Sequence, residues 1–196
     1  MKTLALFDFD GTISDRDSMI DFIRFSVGAR RFLIGVFRLS FVIVGYALGL
    51  ISDVKTKRKV LAYFFGGVEY TRLLEIADRY AAQRIDRIIR PKALEKIKWH
   101  LSEGHSVAIV SASVELWLKK WSENLGLTLI ATKPEIIGGR FTGNLASPNC
   151  KGAEKITRIK EIYDLSQYQE IYAYGDSKAD RPMLSLSSRS FYKPFR

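Results

Sequence analysis

The feature that most constrains this chain is a repeated pattern: a short, largely apolar run that stops abruptly at small polar residues. Leu4 to Phe7 runs into Asp8-Phe9-Asp10-Gly11-Thr12, Ser106 to Val110 into Ser111-Ala112-Ser113, and Glu170 to Tyr174 into Gly175-Asp176-Ser177. A strand that is apolar at nearly every position is buried on both faces, as in a parallel sheet covered by helices. Leu127 to Ala131 reads as a weaker fourth strand and Ser190 to Tyr192 as a fifth at an edge. Helical patterns lie between the strands. One opens at Pro91 and closes at Gly104, and others cover Val114 to Leu125, Ala153 to Tyr163 and, more briefly, Lys178 to Ser185. Glu135 to Gly143, with Gly138-Gly139 inside it, predicts a hairpin. Strands alternating with helices imply an α/β fold whose ligand site lies beyond the carboxyl ends of the strands.

Residues 15–86 interrupt this alternation with a long stretch that is helical in pattern. It reads as an inserted helical cap, leaving residues 1–14 and 87–196 as the catalytic core. A chain of 196 residues is long enough for one such core with an insertion. Cys150 is the single cysteine, which excludes an intrachain disulfide and suits a small apolar filler. Only four apolar residues follow Met-Lys-Thr, too few for the apolar region of a secretory signal, so the expected placement is cytoplasmic. The formal charge of +10 favours anionic partners, but the basic residues form no nucleic-acid-binding motif.

Asp8 and Asp10 stand two apart at a strand end, where two carboxylates repel unless a cation lies between them. Oxygen donors without His or Cys nearby point to magnesium rather than zinc. A pair that merely caps a turn is the structural alternative. The other strand ends weigh against it. Gly11 lets backbone approach a phosphate closely, and Ser111 offers a hydroxyl before a helix start. Lys151 supplies a cation ahead of another helix, and Asp176 and Asp180 add two carboxylates. His100 and His105, away from these ends, read as surface groups, while Trp99, Trp117 and Trp121 read as packing residues.

Asp8-Phe9-Asp10-Gly11-Thr12, then Ser111, then Lys151, then Gly175 to Asp180, resembles the four motifs of haloacid dehalogenase superfamily phosphatases. The helical stretch after the first motif resembles the cap of the phosphoserine-phosphatase-like branch. The resemblance implies a Rossmann-like three-layer α/β/α fold and Mg2+-dependent phosphomonoester hydrolysis through an aspartyl-phosphate. It makes Asp8 the nucleophile and Asp10 the acid and base, with Mg2+ held by Asp8, the Asp10 carbonyl and Asp176. Gly11, Thr12, Ser111, Ala112 and Lys151 would hold the phosphoryl group, and Asp180 would brace Lys151 or the metal's waters. Ala179 stands where phosphoserine phosphatases carry Asn, and Asp17 where they carry Glu, which argues against serine phosphate itself. A phosphotransferase, a small-metabolite phosphatase and a non-enzymatic phosphate-binding regulatory module are the competing readings. The intact Asp10 disfavours the last.

Phe32 to Ile51 is twenty residues long with one charge, Arg38, and basic flanks at Arg30-Arg31 and Lys55 to Lys59. The length suits a membrane span, but a central arginine costs about 2.5–3.5 kcal/mol on insertion scales. The segment therefore reads as a cap helix or as one lying on an anionic membrane surface, with Asp17, Arg31 and Arg38 as candidate substrate contacts from the cap. The expected substrate is a small or lipid phosphate.

Overall fold

A computed structural model describes residues 2–196. Its main sheet has five parallel strands in the order β3-β2-β1-β6-β7, with β1 (Thr3–Phe7) at the centre. β2 (Ser106–Val114) and β3 (Thr128–Thr132) lie on one side of β1, and β6 (Glu170–Gly175) and β7 (Arg189–Tyr192) on the other. The chain thus leaves β1 in one direction and later returns to its opposite flank. Such a reversal opens a crevice at the carboxyl ends of the strands beside it, and those ends are the three polar clusters of β1, β2 and β6.

Alternation along β1 divides the core. Ala5 and Phe7 join one apolar cluster with Ile109, Trp117 and Trp121, and Leu4 and Leu6 join a second with Val110, Ile159 and Ala173. The helices α5 (Pro91–Ser102), α6 (Glu115–Asn124), α7 (Ala153–Ile162) and α8 (Arg181–Ser185) complete the α/β core. Cys150 is wholly buried, and burial pushes its thiol up to about 11, as befits an inert filler. His100 is not a surface group. With Ala93 and Ile97 it lies on the inward stripe of α5, wholly buried, its Nε2 2.9 Å from the Tyr174 hydroxyl and its Nδ1 2.8 Å from that of His105. Trp99, by contrast, is 38% exposed.

Between β1 and β2 the chain inserts four helices, α1 (Ser18–Arg38), α2 (Ser40–Ala47), α3 (Asp53–Phe65) and α4 (Tyr70–Gln83). They are tied to one another and to the core chiefly by apolar packing: Phe22, Leu61, Phe65, Leu73 and Tyr80 are buried in the same cluster as Phe7 and Trp117. The buried Asp21 adds an ion pair with the half-buried Arg84 at 2.6 Å and accepts from the Tyr80 hydroxyl at 3.2 Å. Gly28, with φ 78 and ψ 162, interrupts α1, and the chain bends again at Leu39. The apolar run from Phe32 to Ile51 is therefore broken rather than one straight helix. Among the described residues no helix is long and apolar enough to cross a membrane.

The antiparallel hairpin β4 (Pro134–Ile137) and β5 (Arg140–Leu145) turns through Gly138 and Gly139, both at positive φ as its two-residue loop requires. It packs beneath α3. Gly143 meets Ala62 so closely that a Cβ there would lie 2.3 Å from the Ala62 Cα.

Candidate active site

Asp8 follows β1 directly, and its N–H donates to the Tyr174 carbonyl at the end of β6. The next residues form one wide turn, closed by the Ser14 N–H on the Phe9 carbonyl at 2.9 Å. Gly11 takes φ 85 within it, and a Cβ there would come within 2.6 Å of Asp176 Oδ2. Only glycine allows the β1 and β6 ends to approach so closely.

The centre of the site is Lys155, in the first turn of α7, whose side chain is 1% exposed. Its Nζ donates to Asp8 Oδ1 and to Asp180 Oδ1, each at 2.6 Å. Thr12 donates its hydroxyl to the other Asp8 oxygen at 3.0 Å. Asp180 Oδ2 accepts from the Asp176 N–H, the Ser177 N–H and the Ser177 hydroxyl at 3.2, 2.9 and 2.7 Å. Both oxygens of Asp180 are thus committed, which marks it as the residue that fixes Lys155 and the β6 loop.

Burial pushes the Asp8 carboxyl up to about 7, with Asp180 and Asp10 adding repulsion and Lys155 opposing them. Burial works against the charge of Lys155 as well, but its two carboxylate partners outweigh that and hold it above its ordinary value. Asp180 is held below the usual carboxylate range, because Lys155 and Ser177 overcome its burial.

Asp10 is anchored separately. Its Oδ1 accepts from the Ser18 N–H at 2.7 Å, and its Oδ2 from the Ser113 hydroxyl at 2.6 Å. Since Ser113 donates to Asp10, the 3.0 Å contact between the Ser18 and Ser113 hydroxyls has Ser18 as donor, and Trp117 Nε1 donates to Ser18 in turn. This relay ties the start of α1 to the end of β2 and aims one carboxylate into the crevice. Burial and the neighbouring Asp17 raise the Asp10 pKa despite these bonds.

Oxygen atoms of Asp8, Asp176 and Asp180 lie within 4.8 Å of one another. An all-oxygen donor set suits a hard divalent cation, and a carboxylate as buried as Asp8 needs positive charge beside it beyond one lysine. Asp180 already accepts four hydrogen bonds, whereas each Asp8 oxygen accepts one. Arg196 reaches Asp176 Oδ2 at 2.5 Å.

A cavity of about 470 Å³ opens above this floor, lined by Asp8, Asp10, Ala112, Lys155 and Asp180 below and by α1, α2 and α3 above. Asp17 lines it too, but its Oδ1 caps α1 by accepting from the Ile20 N–H at 2.9 Å. Ser111 is buried behind the lining, its Oγ accepting from the Ser113 N–H. Lys151 lines the cavity, but its Nζ pairs with Asp53 of α3, and it is Lys155 one helical turn later that binds Asp8. Arg31 and Arg38 are exposed and lie outside the cavity lining, because the face they share with Gly35 turns its glycine, not its arginines, toward α3. Sequence reasoning missed Lys155, Ser113 and Lys57. Lys57 donates from α3 to the Ala112 carbonyl at 2.9 Å and to Asn149 Oδ1 at 2.7 Å.

A parallel α/β sheet whose strand ends gather carboxylates around one buried ammonium, beneath an inserted helical cap, defines an enzyme of phosphatase type. The chain belongs to the haloacid dehalogenase-like hydrolase family, whose pattern matches residues 5–185. It is 29% identical to protein CicA of Caulobacter vibrioides over 98% of this chain and 86% of that one. It is 28% identical to a probable phosphatase of Mycobacterium tuberculosis, over 93% of this chain and 66% of that one. Among solved structures, a Bordetella pertussis Tohama I protein of unknown function superposes with a TM-score of 0.82 at 24% identity, over 97% of this chain and 89% of that one. A substrate-bound phosphoserine phosphatase superposes with a TM-score of 0.68 at 20% identity, over 98% and 86%. These two structural likenesses are of fold.

Proposed function

We propose that this protein is a Mg2+-dependent phosphomonoesterase in which Asp8 is the nucleophile and Asp10 the acid and base. The observation that carries this reading is the division of labour between the two aspartates. Asp8 is fixed against a buried ammonium by Lys155 and held by the Thr12 hydroxyl, whereas Asp10 accepts only from neutral donors, the Ser113 hydroxyl and the Ser18 N–H. A carboxylate paired with a cation is suited to attack, and one without a cationic partner to give and take a proton.

In the first step an Asp8 oxygen bonds to phosphorus, the ester P–O bond breaks, and Asp10 gives its proton to the departing alkoxide. In the second, Asp10 takes a proton from water as that water's oxygen bonds to phosphorus and the Asp8–phosphorus bond breaks. Lys155, Thr12 and the amides following Ser111 hold the phosphoryl oxygens and balance their charge. Asp8, the Asp10 carbonyl and Asp176 would hold Mg2+, whose chemistry would be to supply the remaining positive charge. Residues 15–86 act in this reading as the cap that selects the substrate, a small or lipid phosphate.

The cap also favours peripheral attachment to an anionic membrane surface. Phe37, Phe41 and Leu50 are 80%, 88% and 79% exposed, and Arg30, Arg31 and Arg38 are exposed on the same segment. Release of inorganic phosphate from p-nitrophenyl phosphate tests the chemistry. Activity is expected with Mg2+, to vanish with excess chelator and to fall at least a thousandfold in Asp8→Asn. Full activity of Asp8→Asn, free of contaminating phosphatase, would overturn the nucleophile.

A further inference from the structure

Above its floor the cavity over Asp8 is lined mostly by apolar side chains. Its upper wall is built from Met19, Ile20 and Ile23 of α1, from Val60 and Phe64 of α3, and from a seam along α1 and α2. That seam, Phe32, Val36, Leu39, Ile43 and Tyr46, advances by four, three, four and three residues, so it is one helical face turned to the cavity. Bonds from the Leu39 N–H to the Gly35 carbonyl and from the Ile43 N–H to the Leu39 carbonyl carry this face across the bend.

Above the floor the wall carries four charged groups: Lys151 and Asp53 pair with one another, Lys57 is bound to the neutral oxygens of Ala112 and Asn149, and Asp17 caps α1 through Oδ1. Most of the remaining wall is apolar surface, together with Thr56 Oγ1, a buried hydroxyl without a hydrogen-bond partner. A buried unpaired hydroxyl in a cavity wall is a place for a ligand atom. The volume of about 470 Å³ is far more than a phosphoryl group needs and falls in the range of pockets that enclose a whole organic ligand.

We infer that the substrate is an amphiphile: a phosphomonoester whose unbranched apolar tail lies against the seam of α1 and α2, opposite Val60 and Phe64. This deepens the phosphatase reading and rests on it for the position of the phosphate. Val36 and Ile43 are 37% and 39% exposed, so apolar surface is left open in the ligand-free chain that a tail would cover. Burial of a methylene in such a wall strengthens binding about two- to fourfold.

The test is a series of monoalkyl phosphates from ethyl to dodecyl, measured in two ways. Turnover by the wild type reports the chemistry. Binding to Asp8→Asn by calorimetry reports the tail without needing turnover. Affinity is expected to rise about two- to fourfold per methylene until the cavity is filled, and Ile43→Glu should reduce the dodecyl-to-ethyl affinity ratio at least tenfold. Affinity that is flat with chain length, or unchanged in slope by Ile43→Glu, overturns the tail site while leaving the phosphatase reading intact. Chain-length-dependent binding with no turnover of any ester would overturn the phosphatase reading alone. Presenting dodecyl phosphate as monomers and then in phosphatidylcholine vesicles shows whether the amphiphile is taken from solution or from a bilayer.

Discussion

Two lysines four residues apart on the same stretch of chain, Lys151 and Lys155, should respond to truncation in opposite ways. Lys155 is 1% exposed and binds two buried carboxylates at 2.6 Å each, so Lys155→Ala leaves Asp8 and Asp180 facing one another without a counter-charge. Removing one partner of a buried ion pair costs about 3–5 kcal/mol. With a urea m-value of about 2 kcal/mol/M, the unfolding midpoint should fall by roughly 1.5–2.5 M. Acidification relieves the deficit, because Asp8, already raised by burial, loses the lysine that opposed the rise and takes up a proton as pH falls. The gap between variant and wild type should therefore narrow from pH 8 to pH 5. Lys151, 45% exposed against Asp53, is worth at most about 1 kcal/mol, a shift of no more than about 0.5 M. In activity, Lys155→Ala should lose at least a hundred- to a thousandfold in kcat, as on deletion of one charged donor to a transition state, and Lys151→Ala less than tenfold. Urea titration followed by circular dichroism, paired with p-nitrophenyl phosphate hydrolysis, reads both quantities. If Lys151→Ala is the more damaging substitution in either assay, the central role of Lys155 is refuted.

Other consequences are open to measurement. Ser113→Ala removes the 2.6 Å bond to Asp10 Oδ2, a charge-assisted contact worth about 1.5–3 kcal/mol, so kcat should fall about tenfold or more and the acid limb of its pH profile should move upward. An unchanged profile would show that Ser113 does not position Asp10. Burial lowers His100 to about 4 from its ordinary 6.5, so the unfolded chain binds more protons in that window. Wild-type stability should therefore decline between pH 6.5 and 4, by up to about 3 kcal/mol, and His100→Gln should show a shallower decline.

Much of this architecture can be read from the sequence because its strands are apolar without interruption and its glycines fall at turns. The β1, β2 and β6 ends, and with them Asp8, Asp10, Asp176 and Asp180, follow from that pattern. Lys155 was obscured by a stronger local cue, since Cys-Lys-Gly just before a helix makes Lys151 resemble a loop cation. The signal that would have found Lys155 is its phase: with Arg158 and Ile159 it lies on the buried stripe of α7. A lysine in phase with an inward isoleucine must be paired inside the fold. His100 carried the same signal in phase with Ala93 and Ile97. The run from Phe32 to Ile51 could not be resolved by pattern, because it is apolar on nearly every face. Only tertiary packing shows which face meets the cavity, with Gly35 against Phe64 and Gly45 against Ile51.

The hairpin of β4 and β5 acts as a shim between the core and the cap. At Gly143 its thickness is that of bare backbone, and α3 rests directly on it through Ala62. The reach of Lys57 from α3 down to the Ala112 carbonyl is set by that thickness. A single added methyl at position 143 would meet both the Ala62 backbone and the strain of φ +90, so α3 would have to rise. The headroom above Asp8 is thus governed from a site that contributes no residue to the cavity wall, and a chain could admit bulkier esters by altering the shim alone.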